Sequence, residues 1–418
     1  MFFFYQILLI VTIILSPIIL IIRFFKDKED KKRFVEKFSL NKKKRSKGNL
    51  IWFHAASVGE FLSVVPLIRE LEKNKNIKII LVTTSTLSSS KIFRNFKFRK
   101  TIHQFFPIDF KYFTSEFISY WKPKVAIFID SEIWPCMFKE IKKNSIPLVL
   151  MNARITKRSF DKWKTFKDFS NNTFKNIDIA YPSNLETFGY LKKFKIKKIK
   201  KIGNLKFTED QNSETEVLAK SFLSSVRGRL IWVASSTHPS EEYIIGKAHL
   251  QLRKKFKNLL TIIIPRHTNR VSEIRDELKS LKIKTAIRSK KQKINFNTDV
   301  YLADTYGETK KFFKIAKIIF IGGSIINHGG QNPIEPARYG LRIIHGPNVG
   351  NFYEIFKLFK NKKASFQINN LSQLIKIAQI LLTKKTNNKL NLKKIGEVIL
   401  KKSVIEINEI FKNETKKT

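Results

Sequence analysis

FIGGSIINHGGQNPIEPARY, residues 320–339, is the stretch on which the reading of the fold turns. The apolar run 315–321 stops at Gly322-Gly323-Ser324, a second glycine pair follows at Gly329-Gly330, and Asn332-Pro333-Ile334-Glu335-Pro336 opens a predicted helix. Glycine tolerates positive φ and lets another group approach the backbone closely. Proline fits the first turn of a helix, where amide groups are free to hold an anion. Strand, glycine loop and polar helix start together predict the strand-to-helix turn of an α/β domain, with a pocket for a phosphate-bearing ligand. The competing reading is a tight turn with nothing bound; two glycine pairs and a Pro-bracketed Asn and Glu in one span weigh against it. No Gly-Lys-Ser/Thr follows, so this is no Walker loop, and the spacing is not that of a dinucleotide fingerprint.

The same texture extends on both sides. Residues 230–234 read as a strand leading to Ser235-Ser236-Thr237-His238-Pro239, and the next helix carries Glu241 and Glu242 in its first turn. The strand 259–264 ends in Pro265-Arg266-His267, where a guanidinium offers a phosphate a fork of donors. The strand 299–303 leads to Asp304-Thr305-Tyr306-Gly307-Glu308. Residues 341–345 form a further strand, and the tail 371–411 is predicted helical and amphipathic. Upstream, 208–216 (TEDQNSETE) reads as an interdomain linker, and a second series precedes it, with strands at 49–55, 77–84, 102–107, 124–129 and 147–151. Two sets of βα repeats predict an α/β chain with two Rossmann-like domains facing a cleft, over 26–207 and 217–418, the second ending in the helical tail.

In the first half Phe61, Val64, Val65, Ile68 and Leu71 recur at helical spacing, and Ser57 and Glu60 have the spacing of a capping box. Spacing alone favours that capping role for Glu60. A carboxylate at the mouth of a strand-to-helix turn can equally be a general base, because open α/β sheets bind ligands at strand ends. Asp130 and Glu132, after the strand 124–129, are either favourable charges at a helix start or part of the same lining. By composition Lys206 is one more surface lysine.

At 418 residues and 43% hydrophobic the chain suits two domains with ample cores and excludes wholesale disorder. The single cysteine, Cys136, rules out an intrachain disulfide and fits a reducing compartment; its neighbours predict a buried structural thiol. The net charge of +47 comes from lysines spread along the whole length. It favours anionic partners, whether phospholipid headgroups, phosphorylated glycolipids or nucleic acid, without choosing among them. Residues 2–22 carry no charge; at about 1.5 Å per residue such a helix just spans a hydrocarbon core. The start MFFF and the direct passage into Arg23 and KDKEDKKR predict an uncleaved membrane anchor over 1–25, with the rest of the chain in the cytoplasm. Pro17 can kink the segment, and a shallow, monotopic insertion stays open beside a spanning helix. The seven histidines show no paired ligand spacing, so neither metal nor cofactor is expected.

Several segments, in one order across both halves, resemble the 3-deoxy-D-manno-octulosonic acid (Kdo) transferases of lipopolysaccharide biosynthesis. They are HAASVGE at 54–60, SEIWP at 131–135, NARITKRSF at 152–160, GNLKF at 203–207, PRH at 265–267, YGE at 306–308, GGSIINHGGQNPIEPA at 322–337 and GPNVGNF at 346–352. The resemblance implies a GT-B glycosyltransferase that moves Kdo from CMP-Kdo to the lipid A precursor (lipid IVA) at the cytoplasmic face of the inner membrane, among anionic lipids and without nucleic acid. It implies Glu60 as proton acceptor, with Glu132 and Lys206 as transition-state stabilisers. Pro265, Arg266, Gly307, Glu308, Thr309, Asn332, Pro333, Ile334 and Glu335 would hold CMP. Thr309 and Gln331 depart from the family's usual residues, a larger apolar residue and His, and touch only the detail of nucleotide contacts. The rival readings are a GT-B transferase for another nucleotide sugar, and a membrane-tethered basic protein that binds nucleic acid or lipid without chemistry. The diffuse charge and the lack of a nucleic-acid motif speak against the latter.

Overall fold

The computed structural model describes residues 1–40, 43–209, 217–384 and 390–416. The chain divides into two units, Met1–Asp210 together with Lys393–Thr418, and Gln211–Leu392. The expected linker 208–216 lies, from 210 onward, outside the described residues.

The first unit carries seven parallel strands: β1 (Leu50–His54), β2 (Ile79–Thr84), β3 (Thr101–Phe105), β4 (Val125–Ile129), β5 (Leu148–Ala153), β6 (Ile179–Pro182) and β7 (Lys198–Ile199). Their order is β3-β2-β1-β4-β5-β6-β7, with Leu50 beside Ile79 and Ile51 beside Val125. Every residue of β1, β2, β4 and β5 is buried. Helices cover both faces of such a sheet, which is why these strands read as unbroken apolar runs rather than alternating ones. On one face Trp52, Phe117, Trp121, Phe128 and Phe138 form the centre of the core.

The second unit repeats the plan with β8 (Leu230–Thr237), β9 (Leu259–Pro265), β10 (Thr285–Ile287), β11 (Val300–Leu302), β12 (Ile318–Ile321), β13 (Arg342–His345) and β14 (Ser365–Gln367). These are ordered β10-β11-β9-β8-β12-β13-β14, again all parallel. In each sheet the winding reverses beside the first strand, between β1 and β4 and between β8 and β12. Loops leaving two such strands diverge and open a crevice at their carboxyl ends. The loop before Glu60 and the loop carrying Asp130 and Glu132 flank the first switch point. His238 and Gly322-Gly323-Ser324 flank the second.

One expectation is corrected. The predicted helical tail is two helices, Leu371–Thr383 and Leu392–Thr415, and only the former belongs to the second unit. The latter packs on the first unit, where Glu406 accepts from Lys200 Nζ at 2.6 Å and from Tyr181 Oη at 2.7 Å. Asn74 Nδ2 also donates to Asn408 Oδ1 at 2.7 Å, so the second domain does not extend over 217–418 as expected. Amphipathic periodicity says that a face will be buried but not against what. The N-terminal segment, expected as an anchor helix that Pro17 can kink, is a pair, Phe2–Ile14 and Ser16–Phe25, bent by 55°. Pro17 sits in the first turn of the second helix and, having no N–H, interrupts the ladder there. No single helix among the described residues is long and apolar enough to cross a membrane, although the bent pair together is.

Candidate active site

At the first switch point Ser57 is the N-cap of the helix Val58–Glu72. Its Oγ accepts from the Glu60 amide at 3.4 Å, and the Glu60 carboxylate accepts from the Ser57 amide at 3.2 Å. The capping box is therefore present, but it does not account for the surroundings of the carboxylate. Burial first, then the negative charges of Glu132 and Asp130, push Glu60 up to about 7 against the two Ser57 bonds. An acid poised there takes a proton at neutral pH far better than a solvated one does.

Glu132 is fixed from two sides: Oε2 lies 3.2 Å from His54 Nε2 and accepts from Trp134 Nε1 at 2.9 Å. His54 is fully buried at the end of β1, with Nδ1 3.0 Å from Thr83 Oγ1. Burial lowers its pKa, so the network is satisfied by a neutral ring that donates from Nε2 to Glu132 and accepts at Nδ1. Asp130 is buried, with φ of 55°, and accepts from the side-chain amide of Asn152. Burial raises its pKa, while the charges of Lys206 and Arg154 and the Asn152 bond oppose that. Asn152 Oδ1 in turn accepts from the Leu205 amide at 2.9 Å. This ties the end of β5 to the turn Leu205–Phe207, whose N-cap Asn204 accepts from the Lys206 amide at 2.9 Å. Lys206 is thus placed by a built turn within the field of Asp130, not on a solvated lysine face. The structure brings Glu60, Glu132 and Lys206 into one coupled cluster. It bears out the reading of Asp130 as part of the same lining and adds Asn152, Arg154 and His54, to which sequence reasoning gave no role; their position at strand ends, inside the quoted motifs, was the available signal.

At the second switch point the amides just after β12 are used within the protein itself. Glu241, fully buried, already occupies them: its carboxylate accepts from the amides of Gly323 at 2.7 Å, Ser324 at 3.1 Å, Ile325 at 3.0 Å and His238 at 3.0 Å. Burial raises the pKa of this carboxyl and the four amide bonds oppose that; the donors are engaged, and they are separate from the helix start at 332–335. Gly322 is required instead for close packing of chain on chain, since a Cβ there would lie 2.3 Å from Ser236 O.

The remaining residues expected to hold nucleotide lie at the carboxyl ends of β9, β11 and β12. Pro265 closes β9, and Arg266 is exposed, its amide donating to Thr237 O at 3.0 Å. Burial first, then His328 and His267, and after them the charge of Arg266 keep His238 down to about 4; the His238 and His328 rings are 4.1 Å apart. Gly307 turns the chain with φ of 82°. Glu308 accepts from both Nε and Nη2 of Arg288, from Thr305 and from Lys311, and the Arg288 bonds lead in holding it down to about 2. Thr309 starts the helix Thr309–Phe313. Asn332 Oδ1 accepts from the Ile334 amide at 3.1 Å, Pro333 caps the helix Ile334–Arg338, and Glu335 pairs with Lys310 at 3.2 Å. That pair joins the 307–309 and 332–335 segments, and Gln331 Nε2, 3.4 Å from His238 Nε2, links them to the Arg266 side. Among the described residues no three His, Cys, Asp or Glu side chains converge as ligands for a metal ion.

A family model described as 3-Deoxy-D-manno-octulosonic-acid transferase (kdotransferase) matches residues 32–209. The 3-deoxy-D-manno-octulosonic acid transferase of Rickettsia bellii is 33% identical over 384 residues, covering 92% of this chain and 91% of that one. The enzyme of the same name from Haemophilus influenzae is 33% identical over 339 residues, 78% of each chain. Among solved structures, a glycosyltransferase from Rickettsia africae superposes with a TM-score of 0.60 at 14% identity, covering 89% of this chain and all of that one; this is a likeness of fold. The paired parallel sheets are those of the GT-B class, and the kinship with the Rickettsia bellii enzyme covers 92% of the chain, so that it runs through both units. The chain belongs to the 3-deoxy-D-manno-octulosonic acid transferase family and is a glycosyltransferase.

Proposed function

We propose that the protein transfers Kdo from CMP-Kdo to a hydroxyl of the lipid A precursor, lipid IVA, at the cytoplasmic face of the inner membrane. Glu60 takes the hydroxyl proton as the acceptor oxygen bonds to the anomeric carbon. The bond from that carbon to the cytidylate phosphate breaks, and CMP departs with the electron pair. Attack of this kind passes through positive charge on the sugar ring and negative charge on the leaving group. Glu132, anchored by His54 and Trp134, faces the first as a fixed carboxylate. Lys206, set by its turn beside Asp130, supplies fixed positive charge; removing one such preorganised donor costs roughly 3 kcal/mol in other enzymes. In the second unit Arg266 serves the phosphate, and the segments 307–309 and 332–335 serve the nucleoside.

The observation that carries the reading is the Glu60 carboxylate, pushed up to about 7 by burial first and then by Glu132 and Asp130 on the loop after β4. Names carried by the relatives support the sugar, and the uncharged stretch 2–22 beside a strongly basic chain supports a membrane-borne acceptor. The test is to incubate membranes containing the protein with CMP-Kdo and tetra-acylated lipid A precursor and to weigh the product. A mass gain of one or more Kdo units, lost in Lys206→Ala, is expected. No gain with CMP-Kdo, together with transfer from a UDP-sugar, would overturn the donor assignment.

A further inference from the structure

The N-terminal helix pair does not project free of the first unit; it is held to it at its start and at its end. Half-buried positions recur three or four residues apart through both helices: Phe2, Tyr5, Leu9, Ile13, Ser16 and Leu20. The shielded positions thus fall on one stripe, as the helical repeat requires. The other faces stay bare and apolar, with Phe3 68%, Ile14 70% and Phe25 86% exposed.

Both ends of the pair are tied to that same unit. Near the start, Tyr5 Oη donates to Asp109 Oδ2 at 2.7 Å, and Asp109 is 1% exposed, also accepting from the amides of Cys136 and Met137. The Phe2 and Tyr5 rings pack on Phe169 at 6.5 and 5.6 Å, and Lys139 Nζ lies 4.8 Å from the Phe2 ring centre. At the other end Arg23 Nε donates to Glu29 at 2.8 Å, and Glu29, buried, also binds Lys37. A spanning helix needs its ends on opposite sides of a hydrocarbon core about 30 Å thick. Tyr5 cannot stand on the far side of a bilayer while its hydroxyl is bonded to a carboxylate inside the cytoplasmic domain. The rim beside Phe169 supplies the charge that a lipid surface attracts. Lys157, Arg158, Lys162, Lys164 and Lys167 are exposed there, next to Phe166 at 46% exposure. Bare apolar helices with a basic margin are the composition of a segment that beds into one leaflet and draws anionic headgroups.

We propose that the N-terminal helix pair is a monotopic float, docked on the first domain through Tyr5–Asp109 and Phe2–Phe169 and immersed in the cytoplasmic leaflet without crossing it. The inference rests on the membrane-bound reading proposed above and fixes how the chain sits there. The test uses the full chain in a Cys136→Ser background carrying Phe2→Cys and Lys139→Cys, expressed in a Gram-negative host. Membranes are treated with a short bis-thiosulfonate cross-linker, and spheroplasts with a membrane-impermeant maleimide. Near-complete internal cross-linking in membranes, with no maleimide labelling of residue 2 from the periplasmic side, is the expected result. Labelling in intact spheroplasts, or no cross-link in membrane-bound and transfer-active protein, overturns the docked arrangement. A variant carrying only Phe2→Cys keeps the labelling test valid if the double variant folds poorly. Recovery of wild-type chain in the soluble fraction overturns this proposal together with the membrane reading, and so separates the two failures.

Discussion

Glu60→Gln separates the two roles that Glu60 can play, because glutamine keeps the shape and still accepts the Ser57 amide bond, as capping boxes with Gln do, but accepts no proton. General-base catalysis contributes roughly 10²–10⁴-fold, or about 3–5 kcal/mol of barrier, and kcat is expected to fall by that factor. Stability should move the other way. The carboxyl is raised from an ordinary 4.5 to about 7, so the folded state favours the neutral acid. Its contribution is fully present below pH 4.5 and is lost as pH rises through 7. At pH 8 the ionised group costs on the order of 2–3 kcal/mol, which Gln removes. Glu60→Ala also forfeits the cap, worth about 1 kcal/mol. The assays are Kdo transfer across pH 5–9 and urea unfolding at pH 5 and pH 8. The wild-type acidic limb should lie near pH 7 and shift downward in Glu132→Gln, which removes a repelling charge. If Glu60→Gln turns over within tenfold of wild type, the carboxylate is a helix cap and nothing more.

Glu241→Gln leaves four inward-pointing amides facing a side chain with a single acceptor oxygen, and should cost the second unit roughly 2–4 kcal/mol in chemical unfolding. Were phosphate the true occupant of those amides, the same variant would be neutral in stability and impaired only in donor affinity. Gly322→Ala drives a methyl to within 2.3 Å of Ser236 O and should destabilise by at least ~2 kcal/mol. Gly59→Ala, in a helix with nothing within 4 Å of the new Cβ, should instead stabilise by about 0.5–1 kcal/mol; differential scanning calorimetry reads both. Glu308, held down to about 2 by Arg288, contributes stability above pH 4.5 that is lost as pH falls toward 2. Arg288→Met should abolish most of that acid-side slope in urea melts between pH 5 and 2.5.

The central strands were legible because burial on both faces writes them as unbroken runs, such as VAIFI in β4 and IIFI in β12. Short strands nearer the sheet edges were not: β7 is two residues of a lysine-rich stretch, and β10 and β14 are three residues each. Glycine, proline and acid clusters marked the strand ends where both sites lie, since turns demand those residues wherever they fall. What they bind is another matter. Glu241 meets Gly323 from 82 positions away, and His54 meets Glu132 from 78; no local pattern encodes such pairs. Lys206 is the sharpest case. Composition made it background and the motif resemblance made it functional, and the Asn152–Leu205 bond that positions its turn is visible only in three dimensions.

The return of the helix Leu392–Thr415 to the first unit has a biosynthetic consequence. Because the second unit is one uninterrupted segment between the two pieces of the first, everything it is built from precedes the helix that completes the first. Until that helix is made, Tyr181 and Lys200 lack the Glu406 carboxylate that they bind in the folded unit. Premature termination just after Leu392 would therefore leave the later-made domain sound and wound the earlier-made one, the reverse of what the order of synthesis would lead one to expect.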